Sequence, residues 1–285
     1  MQFLFVLLLD SLNYTSVLLL VSIGLVIIFG LMQVINLAHG EFFLLGAYSV
    51  LVAQNYGLSF WVALPLAFIA VSLVGMICDL CILRFIYQRP VDTILATWGL
   101  SLAIKQAIII IFGPASQIIE APFTGAVHFL GTEYSSYRLF VMVTAMIVAV
   151  VTFLCLYRTR TGLAARAAMA NRPMAQCLGV NVRRLDRYTF SFGAGLAGLA
   201  GAVMAPLMSV DPQMGMGFVI PAFLSILVGG VGSPFGALWG SAVIGVSNTT
   251  LASMLSPVIA YMIVFSLAIA VIRTCPAGLS GEFRK

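Results

Sequence analysis

Charge is what this chain has least of. Asp, Glu, Lys and Arg make up 8% of its 285 residues, 62% are hydrophobic, and mean hydropathy is +1.12. A soluble domain carries about a quarter charged residues, so the composition excludes one and points to a polytopic membrane protein. The apolar runs also lack period-2 alternation. Several exceed the ~20 residues a helix needs to cross ~30 Å of hydrocarbon, which excludes barrel strands. The expected fold is therefore all-α, one membrane domain over 1–285 with about eight or nine transmembrane helices, some of them short or broken.

Other absences narrow the function. The start, MQFLFVLLLDSLN, has no basic n-region and no small-residue cleavage pattern, so a removed signal peptide is not expected. Five cysteines are scattered through apolar segments and read as small hydrophobes, not a disulfide framework. Cys78 and Cys81 form C-x-x-C with no second ligand pair, which argues against redox or metal chemistry. With two histidines in the chain, no H-E-x-x-H and no Asp-rich motif, catalysis has no candidate constellation. His39-Gly40-Glu41 matches the H-x-E of zinc deaminases, but no P-C-x-x-C follows. Gly193, Gly195 and Gly198 spell G-x-G-x-x-G inside an apolar run without a preceding strand, so they describe close helix packing in lipid and not a dinucleotide site. No nucleic-acid motif accompanies the basic excess.

What is present is an orderly set of apolar segments. A first half covers about 14–113, a linking span 138–157 and a second half 188–273. No charge occurs from 212 to 272, yet Pro221, the Gly229–Gly236 cluster and Ser256-Pro257 break that stretch into pieces of about 219–231, 235–251 and 257–273. Nine crossings, as four, one and four, place the N-terminus outside and the C-terminus inside; eight remains open because three segments are short. Each half holds a long span followed by a short, interrupted one, the pattern of an internal inverted repeat with a solute pathway between its halves.

The charge that exists is concentrated in 158–187, where seven arginines and one acid, Asp186, give +6 against +5 for the whole chain. Such a basic island marks a cytoplasmic loop. Its alanines, with Gly179 after them, read as a small-residue helix and its stop. Such a helix suits a cleft on another protein, although a solvated loop held inside by charge would read the same.

Three further features bear on a pathway. Asn36-Leu-Ala-His39-Gly40-Glu41 puts an amide, an imidazole and a carboxylate at the junction of two apolar segments, either as a break lining a solute route or as a turn with capped helix ends. Gly229 to Gly236 exposes backbone groups at close range without the Lys and Ser/Thr of a phosphate loop, and reads equally as a tight turn. Lys105 lies within an apolar run, where its stem allows it to snorkel outward, the reading preferred over a pathway charge. Asp79 is expected to pair locally with Arg84.

At these positions the chain resembles the permease subunits of ABC importers of the branched-chain amino acid and urea type. It carries that family's N-x-A-H-G-E at Asn36, Ala38, His39, Gly40 and Glu41. The G-x-x-x-R-A…N…A…G-[IV] stretch follows at Gly162, Arg166, Ala167, Asn171, Ala175, Gly179 and Val180, and G-G-[IV]-G-S-x-x-G at Gly229, Gly230, Val231, Gly232, Ser233 and Gly236. The resemblance implies a non-catalytic subunit of the bacterial inner membrane, with no cofactor of its own. It implies as partners a second permease, expected to be a paralogue, two cytoplasmic ATPases that bind ATP-Mg, and a periplasmic solute-binding protein. It further implies a coupling element of Gly162, Ala164, Ala165, Arg166, Ala167, Asn171, Ala175 and Gly179. The pathway set is then Asn36, His39, Glu41, Thr97, Trp98, Ser101, Gly229, Gly230 and Gly232. The stretch Arg89–Ser101, with its Trp98, looks more like the urea and short-amide members, so urea or a short amide is the expected solute and a branched-chain amino acid the alternative. An ion-coupled secondary transporter is the remaining rival.

Overall fold

The computed structural model describes residues 2–33, 35–87, 89–129, 132–231, 233–275 and 278–282. Helix α1 (Gln2–Met32) begins a dozen residues before the segment read from the sequence. Asp10 does not interrupt it because Arg138 and the Tyr134 hydroxyl bond its carboxylate. The first half continues through α2 (His39–Asn55), α3 (Phe60–Cys81) and α4 (Pro90–Phe112). The polar stretch after α4 contains an antiparallel hairpin, β1 (Ala126–Phe129) and β2 (Thr132–Ser135), with Val127 opposite Tyr134. Apart from an isolated bridge between Gln117 and Val210, this hairpin is the only β pairing among the described residues. The linking span is α5 (Ser136–Arg158), and the basic island folds as α6 (Arg160–Ala170) and α7 (Arg172–Cys177). The second half is α8 (Val182–Met204), α9 (Met214–Gly229), α10 (Pro234–Met254) and α11 (Pro257–Thr274).

Local chemistry sets many of these ends. Prolines stand in the first turn of α4, α7, α10 and α11, where a missing N–H costs nothing. In the island, Thr159, Asn171 and Asn181 each accept a hydrogen bond at 3.0 Å from the backbone N–H three residues on. These are N-caps, each worth about 1 kcal/mol. Gly179, at φ +84°, ends α7 in the left-handed region that glycine adopts without strain.

Among the described residues six helices have the length and hydropathy to cross a membrane. The pair α9 and α10 is bent by 116° at the break between them, so that together they are apolar enough for a broken span or a re-entrant loop, and α2 has 17 residues. Contacts sort the helix termini into two ends. At one, Arg138 meets Asp10, Gln54 bonds the Glu120 carbonyl and Gln117 bridges to Val210. At the other, Arg172 of α7 bonds the Leu31 carbonyl, Asp79 meets Arg187 and Gly278 lies against Gly229 and Gly230. Arg187 on α8, together with Tyr87, holds Asp79; the local pair with Arg84 expected from the sequence is not the one formed.

The packing of one half repeats in the other. Helix α3 packs on α8 as α10 packs on α1, α2 on α8 as α9 on α1, and α2 on α4 as α9 on α11. Under this exchange of halves the contacts α1–α8 and α2–α9 map onto themselves. Glycines allow the closest of these approaches: a Cβ on Gly46 of α2 would strike the backbone of Gly198, and one on Gly201 the carbonyl of Phe43. The apparent dinucleotide motif is thus a packing surface, with Gly193 against α1, Gly195 against α3 and Gly198 against both α2 and α3.

Candidate functional site

The link between α1 and α2 enters the protein interior. Gln33 leaves α1 at φ +54°, and the chain then runs along α4, where the Thr97 hydroxyl accepts from Leu37 N–H at 3.3 Å. Asn36 closes a local turn by accepting from Ala38 N–H at 3.1 Å. His39 faces the Val21 carbonyl through Nε2 at 3.1 Å, which makes Nε2 the donor and leaves Nδ1 as a lone pair. Glu41 accepts from the Ser101 hydroxyl at 2.9 Å, and the Lys105 ammonium stands 3.8 Å from the same oxygen. Lys105 in turn donates to Gln213, just ahead of α9, at 3.2 Å.

This cluster lies deep in the apolar layer. At 1.5 Å per residue, Ser101 and Lys105 are about 16 and 22 Å along α4 from Pro90, against a hydrocarbon thickness of about 30 Å. Here α2 and α9 both begin, with Gly40 and Gly215 in mutual backbone contact and Phe43 stacked on Phe218 at 4.6 Å. Asn36, His39 and Glu41 are at most 1% exposed, yet Asn36 Nδ2, His39 Nδ1 and Glu41 Oε2 have no hydrogen-bond partner among the described residues. Buried polar groups are seldom left so. Beside the cluster is a cavity of about 310 Å³ between α4, α9 and α11. Trp98, Leu102, Ile220, Phe223, Leu227 and Phe265 give it apolar walls, and Ser101 and Lys105 border it without adding appreciable polar surface.

The structure divides the sequence-derived pathway set. Trp98 and Ser101 line the cavity, while Asn36, His39, Glu41 and Thr97 form the buried layer behind it. Gly229 and Gly230 do not belong there: they close the tight turn between α9 and α10, with Gly229 against Gly236 and Gly230 at φ +110°. Gly232 lies outside the described residues. Lys105, read from the sequence as snorkelling outward, instead has a side chain 15% exposed and points to Glu41 and Gln213. The signal that could have found it is Glu41, a second lone charge at the same depth.

The island set divides as well. Gly162, Ala165 and Ala175 are buried, Gly162 against the carbonyls of Cys155 and Leu156. Arg166 turns inward, donating to the Leu156 carbonyl at 3.1 Å and lying over the Tyr157 ring. Ala164 and Ala167 are half-buried, and Asn171 and Gly179 are exposed, Asn171 with its side chain used as the cap of α7. The apolar side chains presented outward are Leu163, Met174 and Leu178, the last 75% exposed; sequence reasoning passed over all three. Among the described residues no group of His, Cys, Asp and Glu could hold a metal ion.

A family model described as the permease component of branched-chain amino acid transport systems matches residues 7–272. The chain belongs to this family. A probable branched-chain amino acid transport permease protein LivH of Methanocaldococcus jannaschii is 28% identical, covering 94% of this permease and 90% of the relative. The high-affinity branched-chain amino acid transport system permease protein LivH of Escherichia coli K12 is 25% identical over 92% and 91%. Its counterpart named LivM from the same strain is 26% identical over 84% of this permease and 62% of the relative. No solved structure matches. As a permease of this family the chain is a non-catalytic transport subunit, a multi-pass membrane protein.

Proposed function

We propose that this permease forms the translocation pathway of an ABC importer for branched-chain amino acids. The observation that carries the proposal is the buried polar cluster deep in the apolar layer, placed where two interrupted helices begin and directly behind an apolar cavity. Half-helix starts at a repeat interface are where transporters hold their solutes, and an apolar cavity suits an aliphatic side chain. The relatives are named for branched-chain amino acids, which favours that solute over the urea expected from the Trp98 stretch. Trp98 itself is cavity wall.

The partners in this reading are a second permease of the LivM kind, two ATPases and a solute-binding protein. The end that carries α6 and α7 is cytoplasmic by its arginines, which puts the N-terminus outside and the C-terminus inside. The ATPases dock on the outward apolar residues of α6 and α7. Arg172 passes their movement on, because it bonds both the Leu31 carbonyl at the end of α1 and the Asp186 carboxylate of α8. The α1–α2 link begins two residues beyond Leu31, so displacement of the docked element shifts the chain that leads to Glu41. This is alternating access driven from outside the chain.

The test is ATP-dependent leucine uptake by proteoliposomes holding the complete transporter, with none from this permease alone. Uptake by the permease alone, driven by a Na⁺ or proton gradient, would make it a secondary transporter. For the docking face, Met174→Glu combined with Leu178→Glu is expected to lower co-purification of the ATPases about tenfold or more, as when central anchors of an interface are lost.

A further inference from the structure

Lys105 is poorly explained as a structural residue. Placing an ammonium within the apolar layer is costly even on insertion scales, and snorkelling would avoid much of that cost. The side chain instead borders the cavity with its apolar stem, its ammonium turned toward Glu41 and Gln213. Its partners leave it incompletely used. An ammonium has three donors, of which one reaches Gln213 at 3.2 Å. The 3.8 Å to Glu41 is longer than a hydrogen bond, and the Ser101 hydroxyl already occupies that carboxylate oxygen at 2.9 Å. Glu41 thus balances the charge of Lys105 without saturating it. Among the described residues no partner takes its remaining donors, and the ammonium stands one stem's end away from an apolar cavity.

We infer that Lys105 receives the carboxylate of an aliphatic α-amino acid while the cavity between α4, α9 and α11 receives its side chain. The inference rests on the proposed branched-chain amino acid pathway and specifies how that pathway selects. A neutral amide such as urea offers no carboxylate to Lys105 and no aliphatic chain to Ile220, Phe223 and Leu227. Glu41 is a positioning residue: it keeps an ammonium within the apolar layer and leaves the site with no net charge, so a zwitterion enters without adding one. Ser101 orients Glu41 in turn.

The experiment measures uptake of labelled leucine into proteoliposomes holding the complete transporter, with leucine delivered by the binding protein. Lys105→Met is expected to lower uptake about tenfold or more, the loss expected when a charge-assisted hydrogen bond is removed. ATPase co-purification and its stimulation by loaded binding protein should persist, and Lys105→Arg should retain part of the uptake. The double variant Glu41→Gln, Lys105→Met leaves no unpaired charge, so it separates recognition from mere charge balance, and it decides the matter if Lys105→Met alone fails to assemble. Continued loss of uptake in the double variant supports recognition by Lys105. Wild-type uptake in the double variant, or undiminished uptake in Lys105→Met, overturns the inference. Absence of leucine uptake by the wild-type transporter would instead overturn the branched-chain reading itself, and this inference with it.

Discussion

The two halves of the permease pack alike and differ in chemistry. Each begins with a long helix, α1 or α8, that returns through an interrupted one, α2 or α9, and the interrupted pair meets at Gly40 and Gly215. In register with these glycines and with the stacked Phe43 and Phe218, the first half reads His39-Gly40-Glu41 and the second Met214-Gly215-Met216. The first half supplies the buried polar atoms, and the second supplies apolar cavity wall from α9 and α11. One further contact breaks the exchange: α10 packs on α11, whereas α3 makes no comparable contact with α4. That leaves α4, the helix bearing Ser101 and Lys105, held chiefly through the α1–α2 link and the Glu41 cluster. Common backbone geometry fixes where the site is, and substitution in one half fixes what it can bind.

The largest effect should come from taking the charge out of the first half. Glu41→Leu leaves the Lys105 ammonium with Gln213 alone, and removal of one partner from a buried pair costs about 3–5 kcal/mol. We expect a marked fall in membrane abundance and in the unfolding midpoint of the detergent-solubilised protein. The matching change in the second half, Met216→Leu, conserves volume and should cost less than about 1.5 kcal/mol. Equal losses from the two would mean that the halves do not differ at this site in the way their sequences suggest.

A smaller effect tests the symmetry itself. A Cβ on Gly40 would lie 2.6 Å from the Gly215 carbonyl oxygen, and one on Gly215 would strike the Gly40 carbonyl. Backbone cannot rotate aside, so Gly40→Ala and Gly215→Ala should each cost about 1–3 kcal/mol. Thermal unfolding should report similar shifts for both. A large loss from one alone would show that the two helix starts are not equivalent.

Much of this was legible in the chain and some was not, for physical reasons. Hydropathy located the helices because hydrocarbon thickness sets their length, and the charge-free second half was visible outright. The start of α1 was missed because Asp10 looks like a boundary until Arg138 and Tyr134, more than a hundred residues away, are brought to it. Lys105 was misread for the same reason: snorkelling is a local property, whereas its partners Glu41 and Gln213 come from other helices. Gly229 and Gly230 were assigned to a pathway because a Gly-rich turn and a solute cradle have one composition, and only the contact with Gly236 separates them. In the island, Gly162 and Arg166, two positions of the family pattern, are internal, since α6 must first be fastened to α5 before it can present Leu163.

The smallest expected effect concerns a glycine that the symmetry does not use. Gly217 lies two residues beyond Gly215 on α9, is exposed, and would place a Cβ with nothing within 4 Å. Alanine there loses less conformational freedom on folding than glycine does, so Gly217→Ala should leave stability unchanged or raise it by about 0.4–1 kcal/mol. The same substitution two residues earlier is destabilising, which makes the pair an internal control: backbone conformation and helix position are nearly shared, and only the neighbour differs. Should Gly217→Ala destabilise the assembled transporter while leaving the purified subunit unaffected, that face of α9 would be in contact with the second permease, placing the cavity beside the boundary between the two subunits.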